Sequence, residues 1–243
     1  MSGHSKWANI KRHKGKVDEQ RGKIFTKLGR EIYVAVRQGG SNPDGNVRLR
    51  IAIQKAREAN MPLEHIQRSI AKAAGELEGV NYEEILYEGY GPGGVAVLVE
   101  VLTDNKKRSA ADIRFLFSRN GGALGEAGCV NWIFDSKGLM LFDKEQPGVD
   151  EDAVTMVALE AGAEDVRDEG DSLAVITAPA EFEAVKAAFE VQQVPVAHSE
   201  LTRIPRNTVP VGPEDSETLT RLLEVLEDYD DVQNVYANND PLE

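Results

Sequence analysis

Between Gly3 and Phe25 the chain reads GHSKWANIKRHKGKVDEQRGKIF, and its first five charged residues, Lys6, Lys11, Arg12, Lys14 and Lys16, are all cations. Lysines and arginines gathered in this way neutralise phosphates, and an aromatic side chain among them, Trp7, can stack on a nucleobase. Trp7 is equally suited to tuck against a folded surface as an apolar anchor, and the sequence leaves the two open. His13 lies inside the cluster and is counted with it as a contact to nucleic acid. His4 and His13 do not make a metal site, because no cysteines or spaced carboxylates accompany them. No cofactor and no metal are expected.

The cations continue into a periodic segment. From Arg21 to Gln38, Ile24, Phe25, Leu28, Ile32, Ala35 and Val36 share one face at helical spacing. At about 100° per residue, Lys23, Lys27, Arg30 and Arg37 fall within roughly 80° of each other on the opposite face. One side of this helix is built to be buried and the other to present a stripe of positive charge, to which Arg21 adds. Arg48, Arg50, Lys55 and Arg57 on the next helix would widen the basic surface, with ordinary solvated charges as the alternative for some of them.

This basic segment belongs to an acidic protein. Of the 243 residues, 28 are Lys or Arg and 41 Asp or Glu, a formal charge of −13. Residues 1–75 hold sixteen of the cations and six of the acids, so that stretch carries +10 and the remainder −23. A uniformly acidic chain repels a polyanion; a cationic end on an anionic body confines nucleic-acid contact to one region. On charge alone, a solvated basic tail, or a terminus neutralised by its own acidic body, stays open.

Elsewhere the sequence is sparing with chemistry. It has no P-loop, no strand-to-helix Gly-x-Gly-x-x-Gly, no zinc-ligand spacing and no nucleophile elbow. GYGPGG at 89–94 precedes a strand and reads as a tight turn. NGGALGEAG at 120–128 reads as a helix cap and glycine-rich loop, with close approach to a partner as the alternative. Lys106, Lys107 and Arg108 form a secondary basic cluster at a helix start, where the macrodipole disfavours cations and something anionic would offset it. A bare exposed cluster remains open. The single cysteine, Cys129, reads as a small core residue in an apolar strand and excludes an intrachain disulfide. No apolar run reaches the roughly 20 residues that span a bilayer, and no membrane partner is expected.

The elements that position these residues follow from periodicity and punctuation. Three helices are predicted over 21–38, 47–59 and 63–74, preceded by an arm that is mobile when free. Beyond the GELEG bridge at 75–79 the pattern becomes α+β. Strands at 95–102 and 129–134 flank a helix ending at Asn120, and an extended RIPRNTVPV, a helix with Leu219, Leu222, Leu223 and Leu226 inside, and a closing strand DVQNVYAN repeat the motif. The interval between them, from GLMLF to PVAHSELTR, spells β-α-β-β-α-β again. The expected organisation is an α+β multidomain protein: an arm and helical domain over 1–78, a discontinuous α/β domain over 79–134 and 204–243, and an inserted α/β domain over 135–203. Both α/β domains are expected to be ferredoxin-like.

GHSKWANIKRHKG, GKIFTKLGREI, NVRLRIAIQKAREANMP, YEGYGPGGVAVLVEVLTDNKKRSAADIR, GCVNWIF and DVQNVYAN together closely resemble the YebC/PmpR family, which includes the mitochondrial translational activator of cytochrome oxidase. The resemblance spans essentially the whole chain and implies three domains, the third inserted in the second. It also implies a non-enzymatic regulator of gene expression. Because the motif starts at Gly3, a cytoplasmic protein without a presequence is expected. Leu63 and Ala237 stand where the family commonly has lysine and histidine, which puts contacts at those two edges in doubt. Three roles follow: a transcriptional regulator that binds duplex DNA through residues 6–37, a translation factor that uses the same surface on ribosomal RNA at proline-rich stalls, and a protein-interaction scaffold. No helix-turn-helix with a polar recognition face is visible, so shape-driven binding is expected over base reading.

Overall fold

The computed structural model describes residues 17–75 and 81–240. Helix α1 (Val17–Gly39) is followed by α2 (Val47–Glu58) and α3 (Leu63–Ala74). Gly40, at φ 85°, ends α1 in a conformation that favours glycine. Asn46 then does two jobs. Its Oδ1 accepts from Leu49 N and caps α2, while its Nδ2 donates to the carbonyls of Ala35 and Gly40. The predicted apolar face of α1 packs as its spacing requires: Ile32, Ala35 and Val36 are buried with Leu49, Ala52, Ala56, Ile66 and Ala73, and Phe25 and Leu28 lie against them. Tyr33 and Val34 are buried as well, which the sequence reading did not anticipate. The Tyr33 ring meets Tyr82 edge-on at 5.6 Å, and Leu102 of the first sheet joins the same core. Over residues 32–36, α1 is enclosed on all sides.

Contacts divide the described chain into two units, one formed by residues up to 130 and 212–237, the other by 131–211 and 238–240. In the first, β1 (Glu83–Tyr90) and β2 (Ala96–Thr103) form a hairpin in register from Glu83 opposite Thr103 to Tyr90 opposite Ala96. Helix α4 (Lys106–Arg119), the short β3 (Ala123–Leu124), helix α7 (Pro213–Glu227) and β8 (Val232–Ala237) complete an antiparallel sheet of order β3-β1-β2-β8. Ile113 and Phe117 of α4 and Leu219, Leu222 and Leu226 of α7 are fully buried.

Two strands of this sheet differ from expectation. The sequence reading lacked β1, because Glu84 and Glu88 interrupt its apolar alternation and only pairing with β2 makes it a strand. Of the predicted strand at 129–134, only Phe134 lies in a strand. The buried Glu88 carboxylate takes the amides of Gly128 at 2.6 Å and Val130 at 2.8 Å, groups that a strand would have offered to a neighbour. A 3-10 turn then covers Asn131–Ile133, and the third strand of the sheet is Ala123–Leu124. RIPRNTVPV likewise belongs to the second sheet up to Pro205.

The second unit runs β4 (Phe134–Asp143), α5 (Glu151–Glu160), β5 (Asp165–Asp168), β6 (Ser172–Thr177), α6 (Phe182–Val191) and β7 (His198–Pro205). Its antiparallel order, β5-β6-β4-β7, is the ferredoxin-like arrangement. The Phe142 and Phe189 rings meet at 4.5 Å, tilted by 51°, in the core that holds Val154, Ala158 and Val185. Leu139, Leu141, Ala174 and Ile176, on the other face of the sheet, are also buried. The described residues form an α+β fold with two four-stranded antiparallel sheets.

Candidate nucleic-acid interface

The cation stripe of α1 is not a bare face. Positions 23, 27, 30 and 34 recur at helical spacing, and Val34 is buried at the end of that line. Lys27 Nζ donates to the carbonyl of Glu227 at 2.5 Å, and Lys23 Nζ to that of Asp228 at 3.4 Å with the Asp228 carboxylate 3.8 Å away. Both carbonyls close α7, where a helix leaves acceptors unpaired and its dipole favours positive charge. Burial pushes the Lys27 ammonium below the usual lysine range, against the pull of Glu227, Asp228 and Asp230. Arg30 Nη1 reaches the Asp230 carbonyl at 2.7 Å and Asp231 Oδ1 at 2.9 Å, and its guanidinium lies 5.7 Å from the centre of the Tyr82 ring.

Asp231 is the centre of this arrangement. It is 3% exposed. Beyond Arg30, its Oδ2 accepts from Thr103 at 3.0 Å, Ser109 at 2.8 Å and Arg108 at 2.8 Å, while its carbonyl accepts from Leu102 N. One carboxylate therefore ties α1, β2, α4 and the start of β8. Burial alone would raise its pKa, but the hydrogen bonds from Arg108, Ser109 and Thr103 and the charge of Arg30 outweigh burial and hold it below the ordinary range. Arg108 is held firmly protonated by Asp231, Tyr229 and Asp104. Burial, then the hydrogen bond to Asp112, pushes the Tyr229 hydroxyl up to about 12.

The expected cations thus separate into groups. Lys6, Trp7, Lys11, Arg12, His13, Lys14 and Lys16 lie outside the described residues. Lys23, Lys27 and Arg30 are engaged by α7 and the segment after it. Arg21 and Arg37 are exposed. On α2, Arg48 pairs with Glu84 at 2.6 Å, Lys55 with Glu31 at 3.6 Å, and Arg50 donates to the Pro43 carbonyl; Arg57 is exposed. In the secondary cluster Arg108 serves Asp231 and Asp104, whereas Lys106 and Lys107 stand exposed.

The glycine-rich stretches are structural. Gly93 and Gly94 adopt φ of 70° and 75° in the turn that joins β1 to β2. A Cβ on Gly89 would lie 2.6 Å from the Ala123 carbonyl and 2.8 Å from Phe117. The loop at 120–128 is drawn in by Gly125 N on the Glu88 carbonyl and by the Glu88 carboxylate. Cys129 is half-buried in that loop and not in a strand; burial, then the charge of Glu88, pushes its thiol up and keeps it protonated. Among the described residues no group of His, Cys, Asp or Glu is placed to hold a metal ion, and no helix is long and apolar enough to cross a membrane.

Sequence reasoning missed Asp231 and Glu88, the two acids that organise the cationic region and the glycine loop. Asp231 sits in a run of acids, Asp228 to Asp231, that reads as a solvated helix end. The signal was the closing strand behind it, whose first residue, Val232, is fully buried.

Comparison with known proteins places these features. Residues 5–76 match the model described as the TACO1/YebC protein N-terminal domain, and residues 82–239 that of the TACO1/YebC second and third domain. A probable transcriptional regulatory protein of Pelotomaculum thermopropionicum is 57% identical over 238 residues, covering 98% of each chain. One from Natranaerobius thermophilus is 54% identical over 241 residues, covering 99% of this chain and 96% of its own. The crystal structure of a conserved hypothetical protein from Aquifex aeolicus superposes with a TM-score of 0.85 at 46% identity, covering 94% of both chains.

Proposed function

The chain belongs to the TACO1/YebC family, and from that premise we propose that it is a regulator of transcription that binds duplex DNA through its basic N-terminal segment. The observation that carries this reading is the segregation of charge, +10 over residues 1–75 against −23 over the rest. The occupied stripe on α1 refines it. Lys23, Lys27 and Arg30 spend their charge within the chain, so the phosphate contacts fall to Lys6, Lys11, Arg12, Lys14 and Lys16, with Trp7 and His13 among them and Arg21 and Arg37 alongside. The role is binding, without catalysis, in the cytoplasm. The relatives' printed names, probable transcriptional regulatory proteins, support the regulatory part.

The test is a salt titration of binding to a duplex oligonucleotide, with Lys11, Arg12, Lys14 and Lys16 all replaced by alanine. Each lost phosphate contact lowers the slope of log affinity against log salt by about 0.9, so four give about 3.6. An unchanged slope removes the segment from the mechanism. Sedimentation of lysate with and without nuclease separates the reading from its rival on ribosomal RNA, because nuclease-sensitive migration with large subunits, and no binding to promoter DNA, refutes the DNA assignment.

A further inference from the structure

Helix α4 stands out in the acidic part of the chain. Over Lys106–Arg119 it holds Lys106, Lys107, Arg108, Arg114 and Arg119 against one acid, Asp112. Its inner side is settled: Ser109, Ile113 and Phe117 are buried, and Arg108 is committed to Asp231 and Asp104. The opposite side remains. Lys107, Ala111, Arg114 and Ser118 follow one another at three- and four-residue steps, all exposed, and Phe115 lies beside them. Phe115 is 56% exposed, and the Arg119 guanidinium, one turn on, lies 5.8 Å from the centre of its ring. Among the described residues Lys107, Arg114 and Arg119 form no ion pair.

We propose that this outer face of α4 is a second nucleic-acid site, one that holds an unpaired strand by stacking a base on Phe115 while Lys107, Arg114 and Arg119 neutralise its phosphates. Three observations converge on that ligand. The cations sit on a body that otherwise repels polyanions, so their clustering is a local reversal of sign. Lys106 and Lys107 begin a helix with no acid in its first turn, a placement that the macrodipole penalises and that an anion relieves. An exposed aromatic ring is out of place on a helix face that only repels, but a stacking platform flanked by cations is the general device for binding single strands. Lys107 and Arg114 are two turns apart, about 10.5 Å along the axis. That spacing lets one strand run the length of the helix with Phe115 between its charged ends. The face lies outside the basic N-terminal segment and does not depend on it.

The experiment uses the full chain and two fluorescent probes, a 20-nucleotide oligothymidylate and a 20-base-pair duplex, read by anisotropy across a salt series. Phe115→Ala should weaken oligothymidylate binding by about 5- to 150-fold, the range measured for loss of one stacked base. It should leave the salt slope and the duplex affinity unchanged, and Phe115→Trp should restore or tighten binding. Replacing Lys107, Arg114 and Arg119 by glutamine should lower the single-strand slope by about 2, at about 0.7 per phosphate contact. All four positions are exposed, so thermal melts of the variants should match the parent. The proposal is overturned if Phe115→Ala binds oligothymidylate as the parent does, if it loses duplex binding equally, or if the parent does not bind the single strand. It is also overturned if the alanine variant at residues 11–16 abolishes single-strand binding that the α4 variants leave intact; that result would leave the proposed function standing.

Discussion

Asp231→Asn isolates the part of the fold that holds the cationic helix. The carboxylate has four donors and little water: its side chain is 4% exposed and that of Arg30 is 19% exposed. Asparagine keeps one acceptor. With its oxygen at the Oδ2 position it still serves Thr103, Ser109 and Arg108, but its NH2 then faces the Arg30 guanidinium, donor against donor. Removing one partner of a buried ion pair costs about 3–5 kcal/mol, and the residual access of Arg30 to water puts this case at the lower end. The Arg108 pair adds about 1 kcal/mol at most, because that side chain is 47% exposed. A loss of about 3–4 kcal/mol lowers the melting temperature by roughly 10 °C for a unit of this size.

The pH dependence has a fixed sign. The carboxyl is held below its ordinary value in the folded protein, so its contribution is complete above the unfolded pKa of about 4 and is lost as pH falls through the folded value. Urea midpoints of parent and variant should therefore differ fully at pH 7 and converge toward pH 3. A double-mutant cycle with Arg30→Gln should return a coupling of about 1–3 kcal/mol. A difference under about 1 kcal/mol at pH 7, or one that persists undiminished at pH 3, refutes the electrostatic account of how α1 is anchored.

Glu88→Gln replaces two charge-assisted bonds to Gly128 and Val130 and should cost about 1–3 kcal/mol, with faster hydrogen exchange at those two amides as the local signature. Gly89→Ala forces a Cβ against the Ala123 carbonyl and should destabilise by about 1–3 kcal/mol. Gly22→Ala, on the open surface of α1, should instead stabilise by about 0.5–1 kcal/mol in the same denaturation assay. Lys23→Gln with Lys27→Gln should reduce stability yet leave the salt slope of DNA binding within experimental error of the parent, since these ammoniums already have acceptors on α7.

Much of the architecture was legible because apolar spacing reports directly which side of an element is buried. The faces of α1 and α7, the β-α-β-β-α-β course of the second sheet and the hairpin at 165–177 all follow from it. The failures share a cause. Strand β1 and the loop at 125–130 are shaped by Glu88, a buried acid whose partners are backbone amides 40 and 42 residues away. Composition cannot reveal such a contact, since a glutamate in a strand reads as a solvated position.

The cation stripe carries the same lesson. Periodicity established that Lys23, Lys27 and Arg30 share a face, and it is silent on what that face meets. Here it meets the end of α7 and the segment after it, whose carbonyls put partial negative charge within reach of long flexible cations. The acidic body therefore does more than balance the basic end. By engaging the stripe it offsets three of that end's cations, while Arg37 and Arg57 and, on α4, Lys106, Lys107, Arg114 and Arg119 stay exposed.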